Sequence, residues 1–343
     1  MPTLRPFGLL ATHVAAYAML ALAWLGCQPA SAPSTSGVPS VKSGYSADPT
    51  APPSGSRAAA LTFDDLPHGR LADYPREWVV DVNERLLDTL KSYGVASTGF
   101  VNGANINTRG ESYEDVIAMW DESGMDLGNH SWSHANFWNL SVEEFEVETS
   151  RSDSAIADAV SAFAVGPKFF RHPYLNTGPD STSKAEFEMY LSESGYRVAP
   201  VTVDTWDFMY ARAYDNQIKG GDVESARAVA SAYLEHIDAS FTYYEKMSND
   251  LFGRDISHVL LLHVSRLNAD YVGAIIRGLR DEGVSIVPLE AALEDAAYDE
   301  PDLYIGERGI SWLERWAVSK RIPVDEEPTP PEWIRDLAYP TSS

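Results

Sequence analysis

The sequence predicts an α/β fold built around a parallel β-sheet. From Ala58 onward, short apolar runs rich in β-branched and aromatic residues alternate with longer amphipathic stretches. This order of strand and then helix recurs about seven times, which is typical of a parallel sheet covered by helices. The chain has 343 residues, of which 44% are apolar, and can therefore bury a sizeable core. Both an open doubly wound sheet and a closed barrel satisfy the pattern.

Each predicted strand is a short apolar run, and each predicted helix has apolar residues three or four positions apart. We predict strands at 58–63, 97–101, 125–127, 168–171, 198–203, 259–263 and 284–287. We predict helices at 77–92, 111–123, 141–162, 180–194, 222–247, 269–281 and 288–296. No internal repeat is evident in the sequence.

The first 27 residues have the composition of a signal peptide and are left out of the fold prediction. Arg5 precedes a nearly all-apolar run from Leu9 to Leu25, which Gly26 and Cys27 follow. The ending Leu-Gly-Cys resembles a bacterial lipobox, which implies that Cys27 is lipidated and becomes the mature N-terminus. Trp24 departs from the usual aliphatic residue of that motif. Cleavage after Ala32, or an uncleaved membrane anchor, are the alternatives.

Three further segments are predicted after the signal peptide. Residues 28–56 are rich in Pro, Ser, Ala, Thr and Gly and predict a flexible tether. Residues 57–300 form the predicted folded domain, in which the unusually long stretch 209–257 predicts a helical insert beside the cleft. Residues 301–343 form a C-terminal extension whose tryptophans we expect to pack across the domain.

Charge and cysteine content exclude several classes of function. The chain has 26 basic and 50 acidic residues, which gives a net charge of −24. Nucleic acid is therefore an improbable partner, because phosphate backbones need Lys and Arg. The single cysteine allows no disulfide within the chain and no cysteine-based zinc site.

Polar side chains follow the predicted strands at the points where the strands end. Because the carboxyl ends of parallel strands lie on one face of an α/β fold, these side chains are expected to converge on one site. The residues concerned are Asp64, Asp65, His130, His134, Arg171, Asp204, Asp207 and His263.

The first two of these segments could bind a metal ion. Asp64 and Asp65, in LTFDDLPHG, repel each other unless a metal ion or an arginine offsets their charge. A solvated turn is the alternative. His130 and His134, in GNHSWSHANF, are four residues apart and can share one ion. The residues between them lack the glutamate of a HExxH protease.

The remaining segments supply candidates for acid–base chemistry. Arg171, in FFRHPYLNTG, is suited to hold a buried carboxylate, although a structural arginine is the alternative. Asp204 and Asp207, in VTVDTWDFM, stand beside apolar residues that can shift their pKa values. His263 ends an apolar strand, where a buried structural histidine is the alternative.

Together the segments TFDD, HSWSH, RHPY, DTWDF and LLLH resemble the five ordered motifs of the polysaccharide deacetylases. This family is also called the NodB-homology domain or carbohydrate esterase family 4. The resemblance extends from about Ala58 to Ala292. It implies a distorted, TIM-like (β/α) barrel of about seven parallel strands, with a divalent metal, Zn²⁺ or another, at the carboxyl ends of the strands.

The resemblance also implies a role for each residue of the site. Asp65, His130 and His134 match the metal ligands. Asp64 matches the general base, and Arg171 matches the arginine that keeps this base ionised. His263 matches the general acid, Asp207 its carboxylate partner, and the backbone N–H of Tyr174 a donor to the oxyanion. Leu261 and Trp206 are candidates for the wall around the acetyl methyl group.

Two features of the fourth motif leave the roles of its residues open. The family usually has tryptophan directly after the aspartate, whereas here Phe208 follows Asp207 and Trp206 precedes it. The sequence therefore leaves open which residues form the methyl-pocket wall. Asp204 competes with Asp207 for the role of partner to the general acid.

These residues lead to a functional hypothesis with two alternatives. The chain is expected to be exported and to remove N-acetyl groups from an N-acetylhexosamine polysaccharide at the envelope of a two-membrane bacterium. It is expected to be lipid-anchored in the outer membrane or periplasm, or otherwise secreted. The alternatives are an O-acetyl esterase acting on a polysaccharide such as xylan, and a glycan-binding lipoprotein without catalysis. The expected partner is a polysaccharide, and membrane contact is expected only through a lipid anchor. The acidic composition mildly favours a neutral glycan.

Overall fold

The structure is a computed structural model and describes residues 57–340. The predicted signal peptide, Cys27 and the whole predicted tether lie outside the described residues. Within residues 57–340, no helix combines the length and the apolar character needed to span a bilayer.

Seven parallel strands form the central sheet. Their spatial order is β7-β6-β5-β2-β1-β8, and β9 pairs with the start of β1. The bounds are β1 Ala58–Leu66, β2 Thr98–Val101, β5 Asp126–Asn129, β6 Lys168–Phe170, β7 Tyr196–Val198, β8 Ser257–His263 and β9 Ser285–Ile286. A small antiparallel hairpin, β3 Asn107–Thr108 and β4 Glu111–Ser112, lies apart from the sheet.

The chain after β7 joins the two edges of the sheet. Val203 pairs in parallel with Leu260 of the opposite edge strand β8, and the N–H of Thr202 donates to the Val259 carbonyl at 3.0 Å. The sheet is thereby a distorted barrel rather than an open doubly wound sheet. The predicted fold class is confirmed, but the predicted strand 198–203 is divided into β7 and this bridging segment.

The helices cover the outside of the sheet. They are α1 Arg76–Tyr93, α2 Gly103–Ile106, α3 Glu114–Glu122, α4 Val142–Ala159, α5 Ser181–Glu193, α6 Asp207–Gly220, α7 Val223–Phe252, α8 Arg266–Asp281, α9 Leu289–Ala292, α10 Trp312–Lys320 and α11 Glu332–Ala338. Side chains on both faces of β1 are buried along nearly its whole length, as is usual for a strand of a parallel sheet.

Helices α6 and α7 occupy the stretch that was predicted to be a helical insert. Both contribute to the main apolar core, through residues such as Tyr210, Tyr233, Phe241 and Tyr244. The stretch is helical as predicted, and its core residues make it part of the barrel's supporting layer.

The C-terminal segment packs onto the barrel. Trp312 and Trp316 are buried, whereas Trp333 remains exposed at its surface. The N–H of Trp312 donates to the Val201 carbonyl at 2.7 Å. Arg315 is buried and bonds Asp302 at 2.8 Å and the Leu175 carbonyl.

Gly309 lies directly against the loop after β6. A Cβ at Gly309 would lie 1.9 Å from the Tyr174 carbonyl oxygen. We therefore expect Gly309→Ala to lower the free energy of unfolding by about 1–3 kcal/mol, measured by chemical denaturation. Gly278→Ala is the matched control, because nothing lies within 4 Å of its Cβ and it lies in α8. Equal effects of the two substitutions would contradict the prediction.

Candidate active site

One cavity of about 570 Å³ opens at the carboxyl ends of the strands. The predicted site residues that line it are Asp64, Asp65, His130, His134, Tyr174, Asp204 and His263. Arg171 and Asp207 are buried directly behind this lining and bond two of its members. The structure therefore brings the predicted set together, from positions almost two hundred residues apart.

Asp65, His130 and His134 form a group that could hold a metal ion. Their ligand atoms all lie within 4.8 Å of one another. Nε2 of His134 lies 3.5 Å from Oδ1 of Asp65, and Nε2 of His130 lies 3.8 Å from the same oxygen. Two imidazole nitrogens and one carboxylate oxygen suit zinc and related divalent ions, and they leave coordination positions open. The residues present thus fit a catalytic metal site.

The orientation of His130 is fixed by its second ring nitrogen. Its Nδ1 donates to the carbonyl oxygen of Arg171 at 2.8 Å, which leaves the lone pair on Nε2 facing Asp65. Burial lowers the pKa of His130 well below its ordinary value, so this imidazole is neutral and able to act as a ligand.

The backbone at the site adopts unusual conformations. Asp65, Ser131 and His134 have φ values of 67°, 64° and 56°, in the left-handed region. Such residues are uncommon and persist where neighbours hold them in place. Here the side chain of Asn129 accepts from the Ser131 N–H at 2.9 Å, and the Gly103 N–H donates to the Ser131 carbonyl at 3.1 Å.

Asp64 lies beside the metal-ligand group and is held by Arg171. The guanidinium of Arg171 is fully buried, and its Nη1 lies 3.2 Å from Oδ1 of Asp64. Its other nitrogens donate to the Ala199 carbonyl at 2.7 Å and to Thr62 Oγ1 at 3.1 Å. Burial raises the pKa of Asp64 to about 6, while the charge of Arg171 acts in the opposite direction. Arg171 thus stabilises the ionised form of a carboxylate that burial would otherwise protonate.

His263 is paired with Asp207 on the other side of the cavity. Its Nδ1 lies 2.7 Å from Oδ1 of Asp207, and its backbone N–H donates to Oδ2 at 2.7 Å. Burial lowers the pKa of His263, but the hydrogen-bonded carboxylate outweighs it and raises the pKa to about 10. Asp204 instead accepts from the Trp206 N–H at 3.2 Å. The structure therefore selects Asp207 over Asp204 as the partner of His263.

Comparison with known proteins gives a family for the N-terminal part of the described residues. Residues 51–197 match the sequence model of the family described as polysaccharide deacetylase. The chain contains a polysaccharide deacetylase domain. The match ends before Asp207 and His263, and the structure brings these two residues to the same cavity.

Curated relatives of this deacetylase domain include enzymes acting on two kinds of glycan. A chitin deacetylase from Pestalotiopsis sp. is 30% identical over 149 residues, which cover 43% of each chain. A peptidoglycan-N-acetylglucosamine deacetylase from Bacillus cereus is 25% identical over 163 residues, which cover 47% of this chain and 50% of the relative. The chain therefore spans half or less of the length of these two relatives.

Two solved structures also match part of the chain. A polysaccharide deacetylase from Bacillus cereus is 23% identical, with a TM-score of 0.47, and the match covers 68% of this chain and 91% of that one. A CE4 family pseudoenzyme from Bacillus anthracis is 16% identical, with a TM-score of 0.49, and the match covers 70% of this chain and 66% of that one.

Two residues of the deacetylase domain's site were not found by sequence reasoning. Nδ2 of Asn268 donates to Oδ2 of Asp207 at 2.7 Å and to the His263 carbonyl at 2.8 Å. Oδ1 of Asn268 accepts from the hydroxyl of Tyr233 at 2.6 Å. Both neighbours of Nδ2 are acceptors, so the amide has one satisfactory orientation. Asn268 is the third residue of α8 and Tyr233 lies within α7. Neither directly follows a strand, so no sequence pattern identified them.

The remaining predicted residues lie around the mouth of the cavity. Leu261, Trp206 and Phe208 all line it, so both aromatic residues of the altered fourth motif face the same cavity as the predicted metal ligands. The Tyr174 ring lies edge-on to His134 with centroids 4.4 Å apart, and its backbone has a φ of 56°. The role of its backbone N–H stays a prediction.

Proposed function

We propose that this chain is a metal-dependent hydrolase that removes N-acetyl groups from an N-acetylhexosamine-containing polysaccharide at the cell envelope. The observation that carries the proposal is the placement of two acid–base pairs in one cavity. Asp64 with Arg171 and His263 with Asp207 both adjoin the group formed by Asp65, His130 and His134. The envelope location rests on the composition of residues 1–27, and cell fractionation tests it.

A divalent ion held by Asp65, His130 and His134 would supply Lewis-acid chemistry, polarising the acetyl carbonyl and lowering the pKa of a coordinated water. Asp64, kept ionised by Arg171, accepts a proton from the attacking water. The water oxygen bonds to the carbonyl carbon, and the carbon–nitrogen bond then breaks. His263 donates its proton to the departing nitrogen, so the products are acetate and a free amine. The backbone N–H of Tyr174 is the proposed protein donor to the oxyanion.

The shape and lining of the cavity support a sugar polymer as substrate. The cavity is open to solvent, and three large aromatic side chains that line it remain partly exposed: Tyr174 at 57%, Phe208 at 42% and Tyr339 at 47%. Exposed aromatic rings around a cleft mark binding sites, and their faces suit the apolar C–H faces of sugar rings.

Acetate release from a panel of N-acetylated and O-acetylated oligosaccharides, with zinc added, tests the proposal. Release from an N-acetylated oligosaccharide supports it. Release only from O-acetylated xylan would replace it with the esterase alternative. Binding without any release would favour the glycan-binding alternative.

The pH dependence of the reaction should depend on the pKa of His263, which Asp207 raises. A general acid must be protonated, and the raised pKa of His263, about 10, keeps it protonated through the neutral range. Asp207→Asn removes the carboxylate that raises this pKa, so the value should fall toward the ordinary value of about 6.5 or lower. We expect the alkaline limb of the kcat/KM profile to move to lower pH by about two units or more.

Asp204→Asn is the control for this shift. Asp204 lines the same cavity and accepts from the Trp206 N–H rather than from His263, so its substitution should move the alkaline limb much less than Asp207→Asn does. An unchanged alkaline limb in Asp207→Asn would show that His263 is not the group that must be protonated.

A further inference from the structure

One end of the cavity is positively charged, although the chain has a net charge of −24. Arg70 and Arg212 line this end of the same cavity that contains Asp64 and His263. Nε of Arg212 donates to the Ala338 carbonyl at 3.0 Å, and its guanidinium lies 4.5 Å from the centroid of the Tyr339 ring. Among residues 57–340, no carboxylate forms an ion pair with Arg212, so its two terminal nitrogens are available to a ligand.

The neighbouring charges reinforce this positive end. Asp215 is buried, and it faces Nη2 of Arg70 at 3.1 Å and Nε of Arg266 at 3.4 Å. Nζ of Lys219 lies 4.0 Å from the centroid of the Tyr74 ring, and the hydroxyl of that tyrosine bonds Asp215. Asp73 also lies 3.7 Å from Nη1 of Arg70, so three cations face two carboxylates here, and Arg212 adds a fourth positive charge without a carboxylate partner in the described part of the chain. The excess positive charge raises the affinity of this region for an anion.

The C-terminal helix holds Arg212 in place. Nδ2 of Asn216, one turn after Arg212 in α6, donates to the Leu337 and Ala338 carbonyls at 2.8 and 3.2 Å. Ile334 and Ala338 are fully buried. The end of α11 thus fixes the Nε side of the guanidinium and leaves the Nη edge free. A planar guanidinium fixed in this way is suited to bind a carboxylate through two parallel hydrogen bonds.

We propose that Arg212, with Arg70 lining the same end of the cavity, forms a subsite for a carboxylate carried by a sugar next to the N-acetylated one. The substrate is then an acidic N-acetylated polysaccharide, and the C-terminal segment contributes to its selection. This inference rests on the proposed deacetylase function. It reverses the expectation of a neutral glycan, because the charge at the cleft differs from the average charge of the surface.

Binding of three oligosaccharides of equal length to the zinc-supplemented full chain, measured by calorimetry, tests the subsite. One is a neutral oligomer of N-acetylglucosamine. The second alternates N-acetylglucosamine with glucuronic acid, and the third alternates it with N-acetylmuramic acid, so the two acidic oligomers present their carboxylate at different positions. We expect at least one acidic oligomer to bind roughly tenfold more tightly than the neutral one.

Arg212→Gln should reduce this acidic-to-neutral affinity ratio to about one, and Arg212→Lys should retain part of it. Arg227→Gln is the matched control, since Arg227 lies on the exposed surface of α7 and does not line the cavity. It should leave the ratio unchanged. Equal binding of all three oligomers, or a ratio that Arg212→Gln does not alter, would overturn the subsite.

Acetate release in the same samples separates this inference from the function on which it rests. Release from the neutral oligomer without any acidic preference would overturn the subsite alone. Absence of release from all three oligomers by a zinc-loaded chain would overturn the proposed activity.

Discussion

His130→Gln is expected to abolish acetate release and to remove metal binding. His130 supplies one of two imidazoles to the group with Asp65 and His134, and its ring is already oriented by the 2.8 Å bond to the Arg171 carbonyl. Loss of an outer partner of a metal ligand costs roughly 10–100-fold in metal affinity, and loss of the ligand itself should cost more. The metal content of the purified chain and its rate of acetate release measure the two effects.

The thermal midpoint gives a test of the metal site that does not depend on substrate. A ligand that binds only the folded state stabilises it, by roughly 2.7 kcal/mol when its concentration is a hundred times the dissociation constant. Zinc should therefore raise the midpoint of the unsubstituted chain, a chelator should reverse this rise, and His130→Gln should show neither effect.

His258→Gln is the matched control for His130→Gln. His258 is also a buried histidine, but it lies near the start of β8, outside the cavity, with its Nδ1 3.3 Å from Thr202 Oγ1. This variant should keep zinc-dependent stabilisation and acetate release. Zinc-dependent stabilisation that survived in His130→Gln would place the metal elsewhere.

The sequence predicted the part of the site that lies directly at strand ends. Asp64 and Asp65 lie in the last three residues of β1, and His130 and Arg171 directly follow β5 and β6, so the topology alone brings them to one face. Their distances could not be predicted, because they depend on the left-handed backbone at Asp65 and on the side chains that hold it.

The sequence left the choice between Asp204 and Asp207 open, because both stand near the end of the same apolar run. In the structure Asp207 is the first residue of α6, and this position brings its carboxylate to His263. A left-handed residue, Trp206 with a φ of 52°, turns the chain immediately before that helix. A non-glycine residue in this conformation has no reliable sequence signal, and for this reason α6 was not predicted to begin there.

The C-terminal half of the cleft was least accessible to sequence reasoning. Arg212 and Tyr339 are 127 positions apart in the numbering, and their contact depends on how α11 packs against α6. The helix α10 did have a readable start, since Ser311 and Glu314 form a capping box. That signal predicts a helix, but it does not predict which face of the barrel the helix covers.

The catalytic role of Asp64 predicts that Asp64→Asn loses activity while the metal remains bound. Asparagine has nearly the same shape and can still accept a hydrogen bond from Arg171 Nη1, which lies 3.2 Å from Oδ1 of Asp64. It cannot take up a proton from water at neutral pH. Because general-base catalysis contributes roughly 10²–10⁴-fold, we expect the rate of acetate release to fall by about that factor.

Metal content decides between two roles for Asp64. Its Oδ2 lies 3.6 Å from Nε2 of His130, so a role as a ligand is a geometric alternative. If Asp64 is the base, the Asn variant keeps its zinc and its zinc-dependent rise in thermal midpoint. If Asp64 is a ligand, activity and metal are lost together, as in His130→Gln.

Stability must be followed in the same variant, because the substitution leaves the Arg171 charge buried without its counter-charge. Removing one partner of a buried ion pair costs about 3–5 kcal/mol when nothing replaces it, and the remaining hydrogen bond should reduce this cost. Asp88→Asn is the control, since its side chain is 74% exposed on α1. A folded, zinc-loaded Asp64→Asn chain that retained more than about a tenth of the normal rate would exclude Asp64 as the base, because the loss would then be smaller than a general base normally contributes.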